Sequence, residues 1–201
     1  MNNMTKALPP SVTGLILAGG MGTRMDHRDK GLVLFAGRPL ICHMIERISD
    51  QVEPLLINCN RNTPVYQQLG YPLVQDAILD FSGPLRGLHS AGPYLDTEYC
   101  FVVPCDMPRL PSNVLACLLQ NIGQHAAAYA FAAGQAQPLV LLVKSTQVRH
   151  IGHYLAKGGR SVMGWLEQIG AVAVVIDSQP GAFDNLNTPG QLLPTGIAPP
   201  A

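Results

Sequence analysis

The chain lacks a surplus of charge of either sign: its 201 residues include 13 basic and 13 acidic side chains, and the formal net charge is zero. Proteins that bind nucleic acids or membrane surfaces in general show a basic excess, so we expect no nucleic-acid and no membrane partner. Charged residues make up only 13% of the chain and hydrophobic residues 47%. This balance predicts one globular domain over residues 1–193, followed by a flexible tail over residues 194–201.

Long apolar runs are also missing. No run approaches the ~18 residues that a membrane span needs, and residues 1–11 have no apolar core of the kind found in signal peptides. The five cysteines are an odd number and include no C-x-x-C pair. This usage argues against disulfides and structural zinc and is typical of a reducing compartment. We therefore expect a cytoplasmic protein.

Short apolar segments alternate with helical patterns along the chain. The predicted strands are residues 13–17, 54–58, 73–74, 99–103, 127–131, 138–143 and 171–176. The predicted helices are residues 40–50, 64–69, 85–95, 112–122 with Ser112 as the N-cap, 146–156 and 162–169, with a last turn or helix over 188–193. Such alternation is typical of an α/β fold in which helices flank a mostly parallel sheet.

The first strand runs into a glycine-rich loop. Residues 15–25 read Leu-Ile-Leu-Ala-Gly-Gly-Met-Gly-Thr-Arg-Met, and Lys30-Gly31 follows. Glycines let backbone amides approach an anion closely, and Arg24 and Lys30 add positive charge, so the pattern predicts a polyphosphate site. The dinucleotide fingerprint fails because Met25 stands at its third glycine, and the P-loop fails because Lys30 precedes Gly31. A turn that only reverses the chain is the alternative.

A second candidate follows the strand 99–103, where Asp106 lies between Pro104 and Pro108. The prolines restrict the backbone and so aim the carboxylate. One positioned carboxylate is enough for Mg²⁺ when substrate phosphates supply further ligands, although Asp106 could instead cap the next segment. Asp76 follows the short strand 73–74 and could bind a ribose hydroxyl or a second metal face. On spacing alone, an ordinary loop carboxylate explains Asp76 better.

Two amide sites and one histidine pair remain. Asn58 ends the second strand, at the edge of the sheet where ligands gather. Asn185 and Asn187 alternate by two, so both would project from one face of an extended segment; a strand-to-helix junction explains them as well as a ligand contact does. His150-x-x-His153 has no third ligand nearby and is interpreted as surface. No Ser-His-Asp or Cys-His pattern is recognisable.

Taken together, the motifs match a known family in order along nearly the whole chain. They are Leu17-Ala18-Gly19-Gly20-x-Gly22-x-Arg24-Met25, Asp29-Lys30-Gly31-Leu32, Gly83-Pro84-Leu85-x-Gly87, Pro104-Cys105-Asp106-x-Pro108 and Asn185-x-Asn187-Thr188-Pro189. This set resembles the molybdenum cofactor guanylyltransferases. The chain departs from the family at Asp26-His27, where two small residues are usual, and at Arg86, where a small residue is common.

The resemblance implies a Rossmann-like nucleotidyltransferase fold and transfer of GMP from GTP to the terminal phosphate of molybdopterin, with Mg²⁺ as cofactor. It implies that Arg24, Lys30 and Asp106 are catalytic and that Asp106 also binds the metal. The implied GTP contacts are Leu17, Ala18, Gly19, Gly20, Gly22, Lys30, Asn58, Asp76 and Asp106. Asn185 and Asn187 would face molybdopterin.

The expected partners are GTP and molybdopterin (Mo-molybdopterin). We expect a monomer that makes transient contact with other cofactor-synthesis proteins and with molybdoenzyme delivery proteins. The alternatives are the cytidylyl analogue, another sugar-type nucleotidyltransferase, and a nucleotide-binding delivery protein without turnover.

Overall fold

The computed structural model describes residues 11–19, 29–76 and 83–186. Its strands are β1 (Val12–Leu17), β2 (Leu34–Phe35), β3 (Arg38–Pro39), β4 (Leu55–Asn58), β5 (Leu73–Val74), β6 (Tyr99–Pro104), β7 (Ala127–Ala132), β8 (Gln135–Lys144) and β9 (Val172–Val175). Its α-helices are α1 (Leu40–Ile48), α2 (Thr63–Gln67), α3 (Pro84–Ala91), α4 (Val114–Asn121), α5 (Ser145–Arg149), α6 (Ile151–Ala156) and α7 (Val162–Gln168). Single 3-10 turns lie at Lys30–Leu32, Ser49–Gln51 and Gly92–Tyr94. Within the three described ranges, no helix combines the length and the apolar character needed to cross a bilayer.

One sheet of seven strands organises the molecule, in the order β5-β4-β1-β6-β8-β7-β9. The pairs β1–β4, β1–β6, β4–β5 and β7–β9 are parallel, whereas β8 is antiparallel to both β6 and β7. The prediction of a mostly parallel sheet flanked by helices is thus confirmed. The reversed direction of β8 lies outside that prediction, as does the small antiparallel hairpin of β2 and β3.

The central strands are buried on both faces, which explains their continuous apolar sequences. In β6, Phe101 and Val103 belong to one apolar cluster, which α1 and α4 cover. Cys100 and Val102 belong to a second cluster, which α3, α5, α6 and α7 cover. Successive strand residues point to opposite faces, so a single apolar strand supplies both cores. Burial of each large apolar side chain stabilises the sheet by about 1.5–3 kcal/mol.

Three helix predictions need correction. Residues 146–156 form two helices, α5 and α6, because His150 takes φ −96° and ψ 0° and interrupts the regular backbone. The predicted helix 112–122 begins at Val114, with Asn113 at the N-cap position and no side-chain cap hydrogen bond, so the Ser112 cap was wrong. The predicted helix 85–95 ends at Ala91 and continues as the 3-10 turn that contains Pro93. The predicted element 188–193 lies outside the described residues.

The register of the parallel strands brings several loops to one edge of the sheet. Leu17 of β1 is level with Asn58 of β4 and with Pro104 of β6. Asn58 is in turn level with Val74 of β5. The chain segments that leave these strands therefore start side by side, at the carboxyl edge where α/β sheets bind ligands.

Candidate active site

A cleft lies where β1, β4, β5 and β6 end. Every predicted GTP contact in the described part of the chain lines this cleft: Leu17, Ala18, Gly19, Lys30, Asn58, Asp76 and Asp106. Gly83, Pro84, Gly87, Pro104, Cys105 and Leu139 complete its lining. The structure thus brings together residues that are far apart in sequence. Gly20, Gly22, Arg24 and Asn187, and the departure at Asp26-His27, lie outside the described residues.

An ion pair between Lys30 and Asp106 spans the cleft. The Lys30 Nζ donates to Asp106 Oδ2, and the two side chains are 21% and 10% exposed. Asp106 is the second residue after β6. Between them, the Cys105 amide continues the pairing of the strands by donating to the Leu17 carbonyl at 3.1 Å. This position fixes the carboxylate at the edge of the sheet. A cation and a carboxylate that are both largely shielded from water are well placed for charged phosphate chemistry.

The segment after β9 returns to Asp106 and holds it. The Leu186 amide donates to the Asp106 carbonyl at 3.0 Å. With its amide nitrogen turned to the carboxylate, Asn185 donates to Oδ1 at 2.9 Å and to Oδ2 at 3.2 Å. The opposite orientation would set the amide oxygen against two acceptors, so the hydrogen bonds decide the assignment. Asn185 therefore contacts the group expected to bind metal; its predicted role toward molybdopterin stays a prediction.

A second polar network joins the ends of β4 and β5. The Asn58 Nδ2 donates to the Val74 carbonyl at 3.2 Å and to Asp76 Oδ1 at 2.9 Å. Asn60 binds the same carboxylate: its Nδ2 donates to Asp76 Oδ2 at 2.8 Å, and its Oδ1 accepts from the Asp76 amide at 2.8 Å. The side-chain amides of Asn58 and Asn60 thus orient Asp76. The spacing of Asp76 in the sequence had favoured an ordinary loop carboxylate, which would have no such partners.

Two glycines make room for this network. A Cβ on Gly87 in α3 would overlap Asn58 Oδ1 and lie 2.8 Å from Asn58 Cγ. A Cβ on Gly19 would lie 2.8 Å from both Asn58 Oδ1 and Asn60 Nδ2. The helix and the first loop can therefore approach Asn58 only because both positions lack a side chain.

Cys105 lines the cleft beside Asp106 but is not suited to act as a nucleophile. Burial raises the pKa of its thiol, and the nearby Asp106 charge raises it further. A thiol attacks as the thiolate, and an environment that suppresses ionisation keeps Cys105 inert. The five cysteines are all free.

Sequence reasoning missed Asn60 and Leu139. Asn60 follows Asn58 by two positions, and this N-x-N spacing after a strand is the signal that could have found it. Leu139 reaches the cleft from the antiparallel β8, and nothing local in the sequence marks it. Arg86, the other departure from the family pattern, is partly buried in α3. The rings of His150 and His153 stack with centroids 6.0 Å apart.

Comparison with known proteins agrees with this geometry. Residues 14–171 match the family model described as the MobA-like NTP transferase domain. A protein from Yersinia pseudotuberculosis named molybdenum cofactor guanylyltransferase is 41% identical over 182 residues, which cover 90% of this chain and 93% of that protein. A protein of the same name from Yersinia pestis is 40% identical over 182 residues, with the same coverage.

A solved structure shares the fold. Molybdopterin-guanine dinucleotide biosynthesis protein A from Archaeoglobus fulgidus superposes with a TM-score of 0.72 at 22% identity, over 90% of this chain and 94% of that one. The match to the family model extends over most of the sheet, and the relatives match over nearly the full chain. This chain therefore belongs to the family of MobA-like NTP transferases.

Proposed function

We propose that this chain transfers GMP from GTP to the terminal phosphate of molybdopterin and releases pyrophosphate. The observation that carries the proposal is the Lys30–Asp106 pair in the cleft at the ends of β1, β4 and β6, in a chain whose relatives are named guanylyltransferases. A protein that only bound a nucleotide would not need a shielded carboxylate beside Lys30.

The residues around Asp106 fit Mg²⁺. Among the residues the structure describes, no group of three or more His, Cys, Asp or Glu side chains could hold a metal ion by itself. Mg²⁺ suits such a site, because it binds through one or two protein oxygens and completes its shell with water and substrate phosphates. Asp106 would supply a carboxylate oxygen, and Asn185 would orient that carboxylate through its amide nitrogen. When bound, the ion would neutralise phosphate charge and draw the α-phosphate toward the acceptor.

The other residues would bind and orient the nucleotide. Lys30 has a flexible stem, so its ammonium can turn from Asp106 to a phosphate oxygen and stabilise the charge that develops there. Arg24 would act with it on the pyrophosphate leaving group. Asn58 and the doubly held Asp76 lie at the far side of the cleft, where they would contact the nucleoside, as would the backbone at Leu17 and Ala18.

The acceptor chemistry needs no strong general base. A phosphate monoester is already anionic at neutral pH, so positioning and charge neutralisation account for the catalysis. The described residues that line the cleft accordingly include no histidine. This matches a reaction in which the protein's task is to bring two anionic groups into line.

Pyrophosphate release tests the proposal. The purified chain is incubated with Mg²⁺, molybdopterin and either GTP, CTP or ATP, and the dinucleotide product is identified by mass spectrometry. We expect kcat/KM for GTP to exceed that for CTP and ATP by at least about 10²-fold, because a site that hydrogen-bonds one base edge rejects a mismatched base strongly.

The same assay separates the alternatives. Equal use of CTP would favour the cytidylyl analogue. Tight GTP binding with no pyrophosphate release would favour a delivery protein without turnover. The five cysteines are all free, which supports a reducing cytoplasm. We further propose that the chain is a monomer that makes transient contacts with other proteins of cofactor synthesis and delivery.

A further inference from the structure

Asp29, the residue before Lys30, is held by three donors. Its Oδ1 accepts from the Gly31 amide at 3.2 Å and from the Tyr66 hydroxyl at 2.7 Å. Its Oδ2 accepts from Asn62 Nδ2 at 3.0 Å. The first of these bonds caps the 3-10 turn Lys30–Leu32. The other two join that turn to α2, which lies between β4 and β5 in the chain.

Tyr66 is built into the core beneath this turn. It is fully buried and belongs to the apolar cluster under α1 and α4. Its hydroxyl lies against Gly31, where an added Cβ would overlap the oxygen and lie 3.3 Å from Tyr66 Cζ. Gly31 therefore permits the hydroxyl to pass beside the turn and reach Asp29. Burial and the Asp29 carboxylate both raise the pKa of Tyr66, so the hydroxyl remains a donor over the whole working pH range.

Asn62 reaches Asp29 from an unusual backbone conformation. It precedes α2 with φ 51° and ψ 29°, the left-handed region that asparagine and glycine tolerate best. This conformation starts α2 at the position from which both Asn62 and Tyr66 reach Asp29. One side chain just before α2 and one within it thus converge on a single carboxylate.

These contacts fix the backbone position of Lys30. Its neighbours on both sides are fixed, Asp29 by side-chain hydrogen bonds and Gly31 by close packing, so the position of its Cα is fixed with them. A lysine side chain has many rotamers, and its reach is defined only if its Cα is held. We propose that Tyr66, acting through Asp29, is a positioning residue that holds Lys30 in register with Asp106 and with the phosphates of GTP. The inference rests on the proposed function, in which Lys30 binds those phosphates.

A double-mutant cycle tests this inference in the full-length chain. Tyr66→Phe removes the hydroxyl and keeps the ring, and Lys30→Ala removes the group said to be positioned. We expect Tyr66→Phe to lower kcat/KM for GTP about tenfold, since displacement of a reacting group by 1 Å can cost as much as about 10²-fold. In the Lys30→Ala background, the same substitution should change kcat/KM by less than about twofold. The dissociation constant of GTP, measured by titration calorimetry, should follow the same non-additive pattern.

Tyr99→Phe is the matched control. Tyr99 is also a buried tyrosine, but it begins β6 at the opposite edge of the sheet from Asp106. Loss of its hydroxyl should leave GTP kinetics unchanged. Asn62→Gly is the second variant, because glycine keeps the left-handed backbone and removes only the donor to Asp29; it should show a smaller loss, about threefold, that also disappears with Lys30→Ala.

Three outcomes would overturn these statements. If Tyr66→Phe leaves GTP kinetics and binding unchanged, or lowers them by the same factor with and without Lys30, the positioning role is wrong. If Tyr66→Phe does not fold, the Asn62→Gly cycle is measured instead, and an equal loss with and without Lys30 again refutes the role. If Lys30→Ala alone has no effect on binding or turnover, it is the proposed role of Lys30 that fails, and this result is distinct from the others.

Discussion

Replacing Gly87 with alanine adds one methyl group, which has two opposing effects on the stability of the fold. In an exposed helix, alanine is more stable than glycine by about 1 kcal/mol. In α3, however, the new Cβ would overlap Asn58 Oδ1 and lie 2.8 Å from Asn58 Cγ and 3.1 Å from Leu17 Cδ2. Asn58 is only 3% exposed and is tied to Val74 and Asp76, so its short side chain cannot swing aside freely.

The magnitude follows from these contacts. Overpacking costs about 1–3 kcal/mol, and a broken buried hydrogen bond costs about 1 kcal/mol more. After the helical gain of about 1 kcal/mol is subtracted, Gly87→Ala should destabilise the fold by roughly 1–3 kcal/mol, which lowers Tm by about 3–10 °C. Because Asn58 helps to hold Asp76, GTP affinity should fall as well.

Thermal unfolding and GTP titration check this prediction. Gly152→Ala in α6 is the control, since its nearest contact, 3.2 Å to the His89 ring, is much less severe than the overlap at Gly87; stability and GTP affinity should both stay near those of the unaltered chain. Adding Gly87→Ala to Asn58→Ala should cause little further loss, because the obstructing side chain is gone. A Gly87→Ala variant as stable as the unaltered chain, with unchanged GTP affinity, would refute the reasoning.

Three further predictions concern the cleft and its surroundings. Asp106→Ala should keep its Tm within a few degrees and lose turnover by about 10²-fold or more; rates near normal in the folded variant would remove Asp106 from the mechanism. Asn185→Ala should raise the Mg²⁺ concentration for half-maximal rate about tenfold, whereas a rise in KM for molybdopterin at an unchanged Mg²⁺ requirement would place Asn185 on the acceptor instead. Burial, with the Asp29 charge adding to it, raises the pKa of Cys59 from 9.0 to about 11. The thiol of the unfolded chain therefore loses its proton at a lower pH than the thiol of the folded chain. The contribution of Cys59 to the free energy of unfolding is full below pH 9 and is lost as the pH rises to 11, by at most about 1.4 kcal/mol per pH unit. Denaturant unfolding should show a shallower decline for Cys59→Ala over this range, and identical slopes would contradict the assignment.

The sheet was largely predictable because its strongest signals are local. β1 and β6 are short apolar runs with turn residues on either side, and such runs are typical of buried parallel strands. Ligands bind at the carboxyl ends of the strands in α/β sheets, and this general rule places Asn58 and Asp106 together without any knowledge of their contacts. This inference succeeds because the alternation of strand and helix forces successive parallel strands to end at the same edge.

The direction of β8 was not predicted, although the sequence carried a signal for it. The predicted strands 127–131 and 138–143 are only a short stretch apart, and a parallel crossover needs a dozen or more residues, so an antiparallel pair could have been inferred. In the structure only Ala133 and Gly134 separate β7 from β8, with φ 50° and 73°, as in a tight hairpin. The hairpin of β2 and β3 uses the same pair of residue types, Ala36 and Gly37. An Ala-Gly turn is a weaker signal than Asn-Gly, so neither hairpin was predicted.

The supporting network of the cleft was not predictable, because it depends on register and not on composition. Asn60 meets Asp76 only because β4 and β5 pair with Asn58 level with Val74. In the sequence, Asp29 is only the residue before Lys30 in the Asp29-Lys30-Gly31-Leu32 motif. In the structure the Asp29 carboxylate accepts hydrogen bonds from the Tyr66 hydroxyl and from the Asn62 side chain.

The return of Asn185 and Leu186 to Asp106 also has a consequence for the order of assembly during synthesis. The parallel strands β1, β4 and β6 can pair once residue 104 has left the ribosome. The hydrogen bonds that hold the Asp106 carboxylate and carbonyl must wait for a segment from the far end of the fold. Because contacts between residues distant in sequence tend to form late, a nascent chain can pair β1, β4 and β6 and still hold Asp106 loosely. Coupling the Asp106 carboxylate to the last described part of the chain would thereby delay the formation of a complete site until folding is nearly finished.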